Sequence, residues 1–121
     1  MSAIQALITS SQDGTGTIQV PVTTIDRVCR EFELDRIDYI KLDIEGAELR
    51  ALTGARDVIG RYRPELCIAI EHTQDLFANA QAVRVAGTTI DPSYRMRVTE
   101  AHPYRSISRG HVLTPYTMLF Y

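Results

Sequence analysis

The clearest pattern in the chain runs from Ile37 to Ile59, IDYIKLDIEGAELRALTGARDVI. Ile40, Leu42 and Ile44 alternate with Tyr39, Lys41 and Asp43, the period of a strand. The run is nearly continuous in apolar character, which predicts a strand over 37–44 covered on both faces, as in a parallel sheet. The period then changes. Leu49, Leu52, Ala55 and Ile59 fall in line at helical spacing, while Arg50, Thr53, Arg56 and Asp57 face elsewhere. This predicts one helix from about Ala47 to Gly60, ended by RYRP.

The same reading extends outward. Leu66–His72 (LCIAIEH) is a second buried-type strand, and residues 74–86 form a helix using Leu76, Phe77, Ala80 and Val83. Gly87 and DPSY read as a loop. Arg95–Ala101 and Val112–Tyr121 read as an antiparallel pair closing the sheet, with Met96 and Val98 on one face. Upstream, residues 3–9 suit a short strand or an arm, and Ser10–Thr17 is a turn cluster. Ile18–Val22 is strand-like, but Pro21 limits it to an edge or a strand end. A helix over about 24–33 follows, capped by Thr23 or Thr24, with Asp26 in its first turn. Its stripe is Ile25, Val28, Cys29 and Phe32. Strands alternating with helices predict an α/β layered domain with right-handed crossovers. At 121 residues it is one domain: an arm or edge strand over 1–19 and a helix–strand core over 20–121.

Composition changes this picture little. Forty-five per cent of residues are hydrophobic and 23% charged, which indicates a folded chain. A net charge of −2 gives no electrostatic reason to expect nucleic acid or an acidic membrane as partner. No apolar run approaches the roughly 20 residues of a membrane span, and the N-terminus has no signal-peptide pattern. Cys29 and Cys67 have no metal-like spacing and read as reduced thiols. These features point to the cytoplasm.

The candidate chemistry is concentrated at strand ends. Asp43, Glu45 and Glu48 lie within six residues, with Lys41 upstream and Gly46 between. Asp43 ends one strand; Glu71 and His72 end the next. In open α/β sheets ligands bind beyond the carboxyl ends of strands. Adjacent carboxylates there suit a divalent cation, held by Asp43 and Glu71. They equally suit a general base that orients a hydroxyl and takes its proton. A lysine inside a buried-type strand needs a partner, so Lys41 reads as a site residue or as an ion pair with the turn. Glu45 and Glu48 open a helix, where its dipole favours carboxylates. With His72 they are the candidate substrate-binding residues; Asp43, Lys41 and Glu71 are the candidate catalytic ones. Glu48 also leans toward the apolar stripe, where bonding to the backbone would explain it. His102 and His111 carry no spacing signal.

KLDIEGAE at Lys41–Glu48 resembles the signature of FkbM-type methyltransferases. VPVTTID (Val20–Asp26), ELRALTGARDVI (Glu48–Ile59), RPELCIAIEH (Arg63–His72) and the terminal TMLFY resemble the segments around it. The resemblance implies an S-adenosylmethionine-dependent enzyme that methylates a hydroxyl of a small-molecule acceptor such as a sugar or polyketide. It implies a Rossmann-like class I methyltransferase fold, present here as a half-domain: a mixed sheet of parallel strands closed by the C-terminal antiparallel pair. Metal-dependent relatives of that fold place acidic ligands where Asp43 and Glu71 stand. Such enzymes begin with a strand, a glycine-rich turn and a helix that hold the donor. Gly14–Gly16 (GTG) follows no convincing strand and opens no helix, so the donor-binding half is expected to be missing. The edge of the Ile37–Ile44 strand would then be open to self-association or to a complementing chain. A non-catalytic assembly module is the alternative reading.

Overall fold

A computed structural model of the chain describes residues 4–8, 18–71, 75–106 and 110–121. The elements are β1 (Ile4–Ile8), β2 (Ile18–Val22), α1 (Ile25–Glu31), β3 (Tyr39–Leu42), α2 (Glu48–Thr53), α3 (Arg56–Tyr62), β4 (Glu65–Ala69), α4 (Leu76–Ile90), β5 (Met96–Ser106) and β6 (Gly110–Phe120). β1 and β2 pair antiparallel in a sheet of their own, with Gln5 opposite Pro21. Ile18–Val22 therefore pairs with the expected arm and not with the main sheet. The glycine cluster at Gly14–Gly16 lies outside the described residues.

The main sheet has the order β3-β4-β6-β5. β3 and β4 are parallel, with Lys41 level with Cys67 and Leu42 with Ile68. β6 runs antiparallel to both its neighbours, β4 and β5, so β5 points the same way as β3 and β4. The closing antiparallel pair is longer than its pattern suggested, and a register shift near Glu100 breaks the alternation. Met96 and Val98 precede the shift and share a face, opposite Phe120 and Met118; Met96 packs against the core and Val98 is exposed.

One face of this sheet carries the core. Leu66, Ile68 and Ile70 of the β4 segment, Met118 and Phe120 of β6 and Leu42 of β3 meet Leu52, Ala55 and Ile59 of the α2–α3 segment and Ala80 and Val83 of α4. The expectation of a strand covered on both faces is corrected here. Among the described residues β3 lies at the edge of the sheet, and its residues Tyr39 and Lys41 are exposed on the other face. The helices contributing to the core lie against one face only, so the apolar alternation of β3 is half used. Tyr39 lies against Cys67 on that open face, and hydrogen bonding with the thiol raises the phenol above its ordinary pKa. Phe32 does not join the α1 stripe either. It falls just past the last helical turn and is 72% exposed.

The expected helix over 47–60 is two helices. The break is at Gly54–Ala55, and it is held from outside. The Asp26 backbone N–H donates to the Gly54 carbonyl at 2.9 Å. The Asp26 carboxylate accepts the N–H groups of Asp57 (3.2 Å) and Val58 (2.9 Å). Ala55 stands at the N-cap of α3 and has no side chain able to cap it, so α1 supplies the missing acceptor across 31 residues of sequence. Asp26 is adjacent to the cap of its own helix, where the Thr24 hydroxyl accepts Arg27 N–H at 3.1 Å.

α4 runs through Gly87, which the sequence pattern assigned to a loop. An added Cβ at Gly87 would stand 2.4 Å from Cε1 of Phe120. The glycine permits close approach of α4 to β6, and Phe120 fills the space. At the far end of α4, Asp91 accepts Arg63 Nε at 2.8 Å and the Ser93 N–H at 2.9 Å. The Ser93 hydrogen bonds are the leading cause of the lowered Asp91 pKa. Tyr94 packs edge-on against Phe120 and donates its hydroxyl to the Pro64 carbonyl; burial pushes the phenol up to about 12.

Candidate functional site

The turn after β3 is built around a buried carboxylate. Ile44, Glu45, Gly46 and Ala47 form a four-residue turn closed by Ala47 N–H to the Ile44 carbonyl at 3.3 Å. Both central residues have positive φ, 56° at Glu45 and 95° at Gly46. That is the pattern of a type I′ turn, for which glycine suits the second position. A glutamate in this region is uncommon and is held there by its surroundings. The holder is Glu48, at the first position of α2. It is 1% exposed, and its Oε1 accepts Ile44 N–H at 2.9 Å and Gly46 N–H at 3.4 Å. The spacing that suggested a substrate contact therefore places Glu48 under the turn, as a positioning residue. The lean of Glu48 toward the apolar stripe was the sequence signal for this.

Asp43 leads into this turn and is exposed, as is Glu45. β3 and β4 are adjacent and parallel, so Asp43 and Glu71 both lie past the carboxyl ends of neighbouring strands. Continuing the register puts Asp43 level with Ala69 and Glu71 two residues, or about 7 Å, farther along. Ile70, just before Glu71, is fully buried. Its N–H donates to the Tyr116 carbonyl and its carbonyl accepts Asn79 Nδ2, each at 2.9 Å. Exposed Glu71 thus leaves a point anchored on two sides. Lys41 is exposed on the open face of the sheet, which removes the argument that its burial demands a partner. His72 lies outside the described residues.

Among the described residues, no group of three His, Cys, Asp or Glu is placed to hold a metal ion. A concavity of about 440 Å³ lies between α1 and α3, lined by Cys29, Leu34, Val58 and Tyr62 among others. An apolar groove of about 480 Å³ runs between the α2–α3 segment and α4. Neither brings together the residues singled out from the sequence.

Comparison with known proteins decides the family. The model of the methyltransferase FkbM domain matches residues 2–102. The chain belongs to the FkbM methyltransferase domain family. A crystal structure of methyltransferase FkbM from Methylobacillus flagellatus KT is similar in fold, with a TM-score of 0.57 at 23% identity. The similarity covers 97% of this chain and 25% of that one, so the chain spans about a quarter of the neighbour's length. Among curated proteins nothing matches significantly. The family match runs across the whole turn from Lys41 to Glu48.

The turn with Gly46 is followed by a helix, the general form of a nucleotide cradle, but its Ile44 and Gly46 N–H groups already go to Glu48. α2 is also only six residues long. What the FkbM domain presents at this end is a set of exposed carboxylates, Asp43, Glu45 and Glu71. No helix among the described residues is long and apolar enough to cross a membrane.

Proposed function

We propose that this FkbM domain supplies the acceptor side of a methyl transfer from S-adenosylmethionine to a hydroxyl of a small molecule such as a sugar or polyketide. The observation that carries the reading is the turn itself: an exposed aspartate at the end of a parallel strand, next to a left-handed turn clamped by a buried glutamate. Strained, over-determined backbone of this kind collects at functional sites. In this reading the Asp43 carboxylate accepts the acceptor's O–H and takes its proton as the oxygen becomes nucleophilic. Glu45 and Glu71 border the acceptor, His72 belongs to the same strand end, and Glu48 fixes the turn. Lys41, on the strand leading into Asp43, supplies positive charge nearby. The strand order, with an antiparallel strand inserted between two parallel ones, supports assignment to the C-terminal half of a class I methyltransferase fold. The donor's cradle then belongs to segments other than the described ones.

A second reading, an assembly module without catalysis, is favoured by the exposed face of β3, which among the described residues is also an edge strand. Methyl transfer separates the two. Under the enzymatic reading, a protein that carries this domain together with the donor's cradle methylates a hydroxyl acceptor, and Asp43→Asn abolishes that transfer while the fold is kept. Transfer at the wild-type rate by the variant would overturn it and leave the assembly reading.

A further inference from the structure

β4 loses its ladder just short of the site. Ala69, opposite Thr117, is the last residue of β4 paired to β6. Ile70 keeps one bond past that point, from its N–H to the Tyr116 carbonyl at 2.9 Å. Ile70 is fully buried, so its carbonyl needs a donor from the protein. α4 supplies it: Asn79 Nδ2 donates to that carbonyl at 2.9 Å, across nine residues of sequence. The row of α4 in which Asn79 stands makes this donor conspicuous. Position 79 lies three residues after Leu76 and four before Val83, and Ala80 and Val83 are buried in the core there. An apolar side chain would suit the row. The turn that carries Asn79 is fixed in its own right. Asp75, the N-cap of α4, accepts Ala78 N–H on its carboxylate and Asn79 N–H on its carbonyl, each at 3.0 Å.

We infer that Asn79 is a positioning residue for the acceptor, acting through Glu71. The Ile70 carbonyl and the Glu71 N–H belong to one planar peptide group. Holding the carbonyl oxygen from α4 therefore fixes the plane from which Glu71 starts, and with it the direction in which Glu71 leaves the strand. Tyr116 holds Ile70 on the side of β6 and Asn79 holds it on the side of α4, so two elements define the point. Without the amide the buried carbonyl loses its side-chain donor, and the peptide plane turns to seek another. Glu71 then spreads over several directions. A displacement of about 1 Å in a group that positions substrate can cost about 100-fold in rate. The inference rests on the reading that Glu71 borders the acceptor. It adds that this contact is set from the first turn of α4, and that its loss falls on the acceptor and not on the methyl donor.

Kinetics of a complete enzyme that carries this domain together with the donor's cradle test it. Asn79→Leu keeps the size of the side chain, suits the apolar row and removes the donor. It should raise the KM for the acceptor by about tenfold or more, with the KM for S-adenosylmethionine unchanged. Glu71→Ala should do the same. The double variant should be no worse than Glu71→Ala alone, because the amide then has nothing left to position. A purely structural role predicts a different result, activity that falls in step with Tm and no selective change in either KM. The wild-type chain gives a reading without substitutions: by NMR relaxation the Glu71 amide should be as ordered as β4, with an order parameter of about 0.85. An unchanged acceptor KM in Asn79→Leu, equal losses toward acceptor and donor, additive losses in the double variant, or a Glu71 order parameter below about 0.6 would each overturn the inference. Asp43→Asn tests the acceptor-side reading separately. Abolished transfer in that variant, beside independent effects of Asn79 and Glu71, would sink the positioning role and leave the reading standing.

Discussion

Replacing Gly87 with alanine should destabilise the domain by about 1–3 kcal/mol, as overpacking of a close-fitted core does. The methyl carbon would sit 2.4, 2.7 and 2.9 Å from three atoms of the Phe120 ring. None of these separations is tolerable, and the ring has little room to move. Phe120 is fully buried, and Tyr94 packs edge-on against it with ring centroids 6.1 Å apart. Either α4 lifts from β6 or the ring leaves its place, and both open the centre of the core. Alanine's better helix propensity, worth about 1 kcal/mol over glycine, does not offset this. Urea denaturation measures the loss. Phe120→Leu in the same chain should recover part of it, so that the double variant is more stable than the sum of the two single effects requires. Strict additivity would show that the glycine and the ring do not share one space.

Glu48→Ala should cost about 1–3 kcal/mol for a different reason: deleting the acceptor leaves two part-buried backbone donors without their partner, and charge-assisted hydrogen bonds contribute more than neutral ones. The carboxylate is buried and accepts two backbone N–H groups of the turn. The turn also holds positive φ at Glu45, a conformation not favoured by glutamate's own preference. Without Glu48 the loss should be local as well as global. The Ile44 and Gly46 amides should exchange far faster than the core of β4. Glu48→Gln keeps an oxygen acceptor but not the charge, and should fall between alanine and wild type. If Glu48→Ala left both stability and amide protection unchanged, the clamp described here would be wrong.

Much of this arrangement is visible in periodicity. Leu49, Leu52, Ala55 and Ile59 lie on the buried side as their spacing predicts, and the antiparallel pair ends at Phe120 as MLFY suggests. The features missed are those that depend on distant partners. The break at Gly54 is held by Asp26, and nothing within Ala47–Gly60 reveals that acceptor. Gly87 reads as a helix end until Phe120, far along the chain on β6, shows why a side chain is excluded. The apolar alternation of β3 predicted burial on two faces, but alternation records only which face is apolar. Whether a neighbouring strand or helix covers the rest is a matter of topology, and among the described residues β3 is an edge.

The site was legible to the same extent. Composition and strand-end logic brought Asp43 and Glu71 to the ends of adjacent parallel strands, and the structure places them there. Glu48 looked like a third site carboxylate because its position in the turn is the same whether it faces outward or under the backbone. Burial separates the two roles, and burial at a helix start depends on how far the helix sinks against the sheet. Lys41 shows the opposite case, a charged residue expected inside that lies in the open.

The central claim, that the FkbM turn acts through Asp43 while Glu48 only holds it in shape, is tested most directly by Asp43→Asn. Methyl transfer from S-adenosylmethionine to hydroxyl acceptors would be compared between variant and wild type, in a complete enzyme that carries this domain together with the donor's cradle, at matched folded fraction. Removing a general base should lower kcat by at least about 100-fold, with Tm nearly unchanged. A variant that keeps the wild-type kcat, or one that loses activity only in step with lost folding, would contradict the account.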